Sequence, residues 1–249
     1  MSEVVIETKV EGIVDDVSSK ELLLLSIPIG ILFALSGMDF IGYFIYIGNR
    51  SSVNEIYDRG VLNVLFLGFL MTTIILCIFP LIENKIQWKK PLAYFGTQKG
   101  NLKIGIIIVA IVVPIMGLLY FNSQNQSLIN IYPLTKDVLK PQPWIFFVLY
   151  ELSYIIFYYI PYEFYFRGVL QLGLSKTWKQ WQSILYVTVL TTVIHIAKPY
   201  TEIISAFIAG FLFGILAEKT QSWYYGFIIH ISAGVLNDTF CALGFLGVL

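Results

Sequence analysis

Residues 154–174 read YIIFYYIPYEFYFRGVLQLGL. This stretch decides the fold, because it sets Glu163 and Arg167 four positions apart inside a run otherwise made of aromatic and aliphatic side chains. An ionisable residue within a membrane span costs about 2.5–3.5 kcal/mol on insertion scales and marks a functional site by default. At i,i+4 spacing the two groups share one helix face. Arg167 is therefore expected to neutralise and orient Glu163, leaving one carboxylate lone pair for a water molecule.

The rest of the chain gives the stretch its setting. Of 249 residues, 57% are hydrophobic and 13% are charged, and the mean hydropathy is +0.76. A soluble domain carries about 25% charged residues. Seven apolar runs are expected as membrane helices, near 22–48, 60–82, 102–121, 143–175, 181–198, 202–217 and 223–247. A span needs about 20 apolar residues, so the sixth run is short. The fourth is long and contains Pro161, which predicts either one bent helix or two shorter ones. No open strand survives in lipid, and no alternating barrel pattern occurs. The fold class is thus all-α, a polytopic transmembrane bundle of seven or eight helices. Its divisions are a polar tail (1–20), amino-terminal helices (21–125) and a helical core (143–249). The tail lacks the basic start of a signal peptide, so the first run is expected to be a retained helix.

Lysines cluster in the 83–103 and 174–181 loops and before the last run, at Lys219. The positive-inside rule then puts the amino terminus inside and the carboxy terminus outside. Trp144, Trp178, Trp181 and Trp223 fall at run ends, where interfacial anchors belong. Ala206, Gly210 and Gly214 form a small-residue stripe that lets another helix approach closely. Net charge is zero, so nothing argues for nucleic acid. Cys77 and Cys241 are far apart in apolar runs and suggest neither a disulfide nor a metal site.

Ionisable residues inside the runs are few: Asp39, Glu151, Glu163, Arg167, His195, His230 and Asp238, with Lys198 and Glu202 at a helix junction. Both histidines of the chain lie in apolar runs. At 1.5 Å per residue, Glu163 lies about 20–25 Å above the Lys176/Lys179 loop and His195 about 24 Å above it, while His230 lies about 16 Å above Lys219. Three helices thus bring Glu163, His195 and His230 to similar depth. A carboxylate beside imidazoles can bind and deprotonate water. With a metal ion, zinc above all, the same three residues are candidate ligands. An imidazole N–H can also stabilise an oxyanion. Asn237 and Asp238 fall near the face of His230 and can bond it or polarise a carbonyl. Glu202 either caps its helix or reaches the site, and Lys198 is a partner for it. Asp39 and Glu151 receive no role.

Together, "YEFYFRGVL", a histidine in the next helix and "GFIIH" opening the last resemble the family of CAAX proteases and bacteriocin-processing enzymes (the CPBP or ABI family). That family's motifs are Glu-Glu-x-x-x-Arg, Phe-x-x-x-His and His-x-x-x-Asn, and the resemblance covers roughly residues 143–247. It implies an intramembrane endopeptidase in which Glu163, Arg167, His195 and His230 are the motif residues, with a metal-dependent or a glutamic mechanism. Three positions depart: Tyr162 stands for the first glutamate, Thr191 for the phenylalanine and Gly234 for the asparagine. Tyr162 is a poor base at neutral pH, so either Glu163 takes over or the chain is an inactive relative; in a variant branch, Glu202 and Asp238 are the candidate replacements. The implied substrate is a membrane-associated, lipidated or exported peptide, and the implied location is a bacterial plasma membrane. A catalytically inactive scaffold or immunity-type protein of the same family is the second reading.

Overall fold

The computed structural model describes residues 23–24, 26–27, 95–133, 139, 143–196 and 198–249. The polar tail, nearly all of the first two apolar runs, Asp39 and Cys77 lie outside these residues. Among the described residues every regular element is helical. In chain order they are α1 (Leu102–Gln124), α2 (Gln126–Ile131), α3 (residues 143–172), α4 (Gln180–Ile194), α5 (Tyr200–Thr220) and α6 (Tyr224–Phe245).

Helices α1, α5 and α6 are each long and apolar enough to cross a bilayer. Polarity is inverted relative to a soluble protein. Glu163, Arg167, Gln171, Ser183 and Thr188 are buried, whereas Ile106, Ile111, Leu118, Val189, Ile208 and Leu212 are exposed. In water such an outer surface would drive association; in lipid it is the favoured arrangement, with ionisable groups facing the bundle interior. The chain is an integral membrane protein.

The sixth apolar run proves longer than hydropathy indicates. Helix α5 has 21 residues, because Glu202 in its first turn and Lys219 in its last are wound into it. Those charges shorten the apolar run but suit the two ends of the helix dipole. Helix α3 is continuous through Pro161. Its winding alternates: α over Pro143–Tyr154, π over Ile155–Tyr159, α over Ile160–Glu163 and π over Phe164–Leu172. The Ile160 N–H reaches back to the Ile155 carbonyl, five residues away. A wide turn of this kind lets the chain pass the proline without breaking, and such turns recur at functional sites.

Close approaches hold the bundle. At Gly210 an added Cβ would lie 2.9 Å from Thr188 Cγ2, and at Gly214 it would lie 2.9 Å from Ile184 Cγ2. The small-residue stripe of α5 therefore seats α4 directly. Gly105 of α1 lies against the Tyr225 ring of α6. At the loop entering α1, Gly100 has φ +52° and a Cβ there would strike the Thr220 carbonyl. The neighbouring Asn101 N–H donates to that same carbonyl at 2.9 Å, and the Asn101 side chain caps α1 through the Ile104 N–H. This ties the Lys99–Lys103 end of α1 to the Lys219 end of α5.

Trp144 and Trp181 are exposed, as anchors should be, but Trp223 is buried. Its indole N–H donates to Thr97 Oγ1 at 3.1 Å, and its ring meets the Phe164 and Phe227 rings. Having a partner for its one polar atom, it packs as core rather than at an interface.

Gly210→Leu is expected to destabilise the protein by about 1–3 kcal/mol, the cost of overpacking a close contact. Gly117→Ala, at a position with open space around it, is expected to be neutral. Thermal unfolding of both variants in detergent checks this.

Candidate active site

Glu163 is fully buried and has two neighbours. Oε1 lies 2.6 Å from Nδ1 of His230, and Oε2 lies 3.7 Å from Nε of Arg167. A carboxylate only accepts, so Nδ1 of His230 carries the proton and donates. Arg167 is held in turn: its Nη1 donates to Gln171 Oε1 at 3.3 Å. Gln171 Nε2 donates to the Gly214 carbonyl at 2.8 Å and to Glu218 Oε1 at 3.3 Å. Ser183 of α4 reaches the same Glu218 oxygen at 3.5 Å. A polar chain through three helices thus holds Arg167 beside Glu163.

His195 is the residue on which α4 ends. Its Nδ1 lies 2.7 Å from the carbonyl of Thr191. A carbonyl only accepts, so Nδ1 is again the donor and Nε2 of the neutral ring is left with a lone pair. Both histidines therefore have Nδ1 engaged by the protein.

Glu163, His195 and His230 line one cavity of about 290 Å³, as do Arg167, Tyr162, Asn237, Asp238 and Glu202. Every expected site residue faces it, but not always as expected. Neither Asn237 nor Asp238 bonds the imidazole of His230, whose Nδ1 belongs to Glu163. Asn237 accepts from Asn122 Nδ2 at 2.8 Å, and Asp238 accepts from the Tyr150 hydroxyl at 3.2 Å. Of the two alternatives for Glu202, the structure shows the second: it lies in the first turn of α5 without a capping hydrogen bond, and it reaches the cavity. Lys198 is joined to it indirectly. The Tyr132 hydroxyl donates to Glu202 Oε1 at 2.7 Å and accepts from Lys198 Nζ at 3.0 Å.

The proposed three-ligand metal set does not fit. Among the described residues no three His, Cys, Asp or Glu side chains converge as ligands. The reason is local: one Glu163 oxygen faces an N–H and the other faces a guanidinium, so neither turns with the imidazoles toward a common centre.

Sequence reasoning missed the aromatic wall. Tyr150, Tyr154, Tyr158 and Tyr162 form a ladder with ring centroids 5.8, 4.9 and 5.7 Å apart. An α-helix rotates an i,i+4 ladder by about 40° per step. The wider π turn takes back part of that rotation and keeps the rings on one side. The signal was present as a tyrosine at every fourth position. Tyr159 was also missed. It meets the His230 ring edge-on, with centroids 4.8 Å apart, and Tyr162 and Phe213 pack the same imidazole at 5.4 and 5.7 Å.

The three motif departures have physical settings. Tyr162 is buried in the ladder and against His230. Thr191 is buried, and its backbone carbonyl holds His195. Gly234 leaves the room that the Tyr159 hydroxyl fills.

Comparison with known proteins supplies one match. Residues 141–236 match the Rce1-like family, described as type II CAAX prenyl endopeptidase Rce1-like. No curated protein and no solved structure matches the chain. The matched segment begins just before α3 and runs into α6, so it contains Glu163, Arg167, His195 and His230. The match covers less than half of the chain, and it marks a similarity of this segment to the CAAX prenyl endopeptidases.

Proposed function

We propose that the protein is an intramembrane endopeptidase that hydrolyses a peptide bond of a membrane-associated, lipidated or exported peptide, using water activated by its histidines and Glu163. A bacterial plasma membrane is the proposed setting. The observation that carries this reading is the 2.6 Å contact between Glu163 Oε1 and His230 Nδ1, in a cavity that His195 also lines.

Glu163 acts through His230 rather than on water directly. Its Oε2 is buried without a hydrogen-bond partner and faces Arg167. Its charge fixes the His230 tautomer and stabilises the imidazolium that forms when Nε2 takes a proton, a role familiar for a carboxylate behind a histidine. The Thr191 carbonyl holds His195 likewise, with Nε2 unprotonated.

One imidazole Nε2 takes a proton from water as the water oxygen bonds to the scissile carbonyl carbon. The carbonyl π electrons move to oxygen and give a tetrahedral oxyanion. When that collapses, the C–N bond breaks and the imidazolium returns its proton to the departing amine. The products are a carboxylic acid and an amine, and the histidine is regenerated.

Cleavage of prenylated and of unmodified membrane-anchored peptides by the reconstituted protein tests this. Wild type is expected to cleave, and His230→Ala, His195→Ala and Glu163→Gln are each expected to lower kcat by about 10²–10⁴-fold, the range for a lost acid–base group. Full activity in all three variants would overturn the reading, and no cleavage by folded wild type would favour an inactive scaffold.

The metal dependence is expected to be nil. Treatment with a zinc chelator should leave kcat unchanged, because Glu163 turns its oxygens to His230 and Arg167. Loss of activity on chelation, restored by added zinc, would contradict this.

A further inference from the structure

We propose that the hydroxyl of Tyr159 is the oxyanion donor of this site, a catalytic group that the π turn of α3 supplies into space left open by Gly234. The inference rests on the endopeptidase reading and deepens it.

Three observations carry it. First, Tyr159 closes the π segment Ile155–Tyr159 and lines the cavity with Glu163, His195 and His230. Its ring packs edge-on to the His230 imidazole at 68°. A group beside the base is near the carbonyl that the base's water attacks. Second, the Tyr159 hydroxyl touches the position that a Cβ at Gly234 would occupy, one turn beyond His230 on α6. Any side chain at 234 would displace it, so glycine there and tyrosine at 159 form a matched pair. Third, no hydrogen bond to this hydroxyl occurs among the described residues. Tyr132 is engaged with Glu202 and Tyr150 with Asp238; Tyr154, which also lines the cavity, lies between the rings of Tyr150 and Tyr158. A phenol in a buried setting normally finds a partner. A substrate oxygen in the cavity is one.

The chemistry fits. A phenol with an ordinary pKa near 10 is protonated at neutral pH. As water adds to the carbonyl carbon, negative charge grows on the carbonyl oxygen. The Tyr159 O–H donates to it without transferring its proton, and the bond relaxes when the C–N bond breaks. Such a donor counts most where water is excluded, since it needs no reorganisation as the charge develops.

The test is a Tyr159→Phe variant in the full-length reconstituted protein. Its kcat is expected to fall about 10²–10³-fold with KM little changed, the usual loss for one oxyanion donor, and with the melting temperature retained. Gly234→Ala, which pushes the hydroxyl aside from another helix, is expected to lower kcat in the same direction. Fluorotyrosine at position 159 has a more acidic phenol and should move the alkaline limb of the kcat–pH profile to lower pH; a purely structural ring would not. Wild type that cleaves while Tyr159→Phe keeps full kcat overturns the assignment of Tyr159 alone. Folded wild type that cleaves nothing overturns the endopeptidase reading and this inference with it.

Discussion

A carboxylate with no exposure to solvent has to be satisfied from within, and Glu163 is such a group. Removing one partner of a buried ion pair leaves an uncompensated charge, which is far costlier than the pair itself. Glu163 is served on one side by Arg167 and on the other by His230. Arg167 is buried as well, so it too needs a partner and has Gln171. Gln171 then uses its amide on the Gly214 carbonyl and on Glu218. A single buried charge in α3 thus dictates what must face it from α4, α5 and α6. The same demand makes glycine useful at 214, where the backbone itself is a hydrogen-bond acceptor for Gln171.

The irregular winding of α3 serves that arrangement. Its π turns pass Pro161 without a break, hold the tyrosine ladder on one side, and set Tyr159 and Tyr162 against His230. The imidazole is packed by three aromatic rings and anchored at Nδ1 by Glu163, so its remaining nitrogen has a defined place. Thr191 gives His195 the same definition by means of a backbone carbonyl. Both histidines thus reach one cavity with Nδ1 held by the protein.

The motif departures also become intelligible in this frame. Tyr162 keeps the aromatic wall continuous where a second carboxylate would add another buried charge beside Glu163. Thr191 is buried, and its carbonyl positions the imidazole four residues on. Gly234 and Tyr159 trade volume between two helices. The glycine at 234 is matched by a tyrosine from a different helix, which inspection of one motif at a time does not reveal.

Composition and apolar runs by themselves determined that this chain is helical and membrane-embedded, because lipid allows few ways to satisfy a backbone. The scarcity of ionisable residues in those runs was enough to single out Glu163, Arg167, His195 and His230, since each is expensive there. The small-residue stripe of α5 was legible for a similar reason: glycine every fourth residue has a direct steric meaning. Tertiary structure alone decided how those groups are arranged. The turn of Glu163 toward His230 rather than toward a metal, the burial of Trp223, and the placing of the Tyr159 hydroxyl against Gly234 all depend on distances between helices. Those distances are set by side-chain volumes meeting across interfaces and by non-α winding within α3, and neither is written in the periodicity of any single segment.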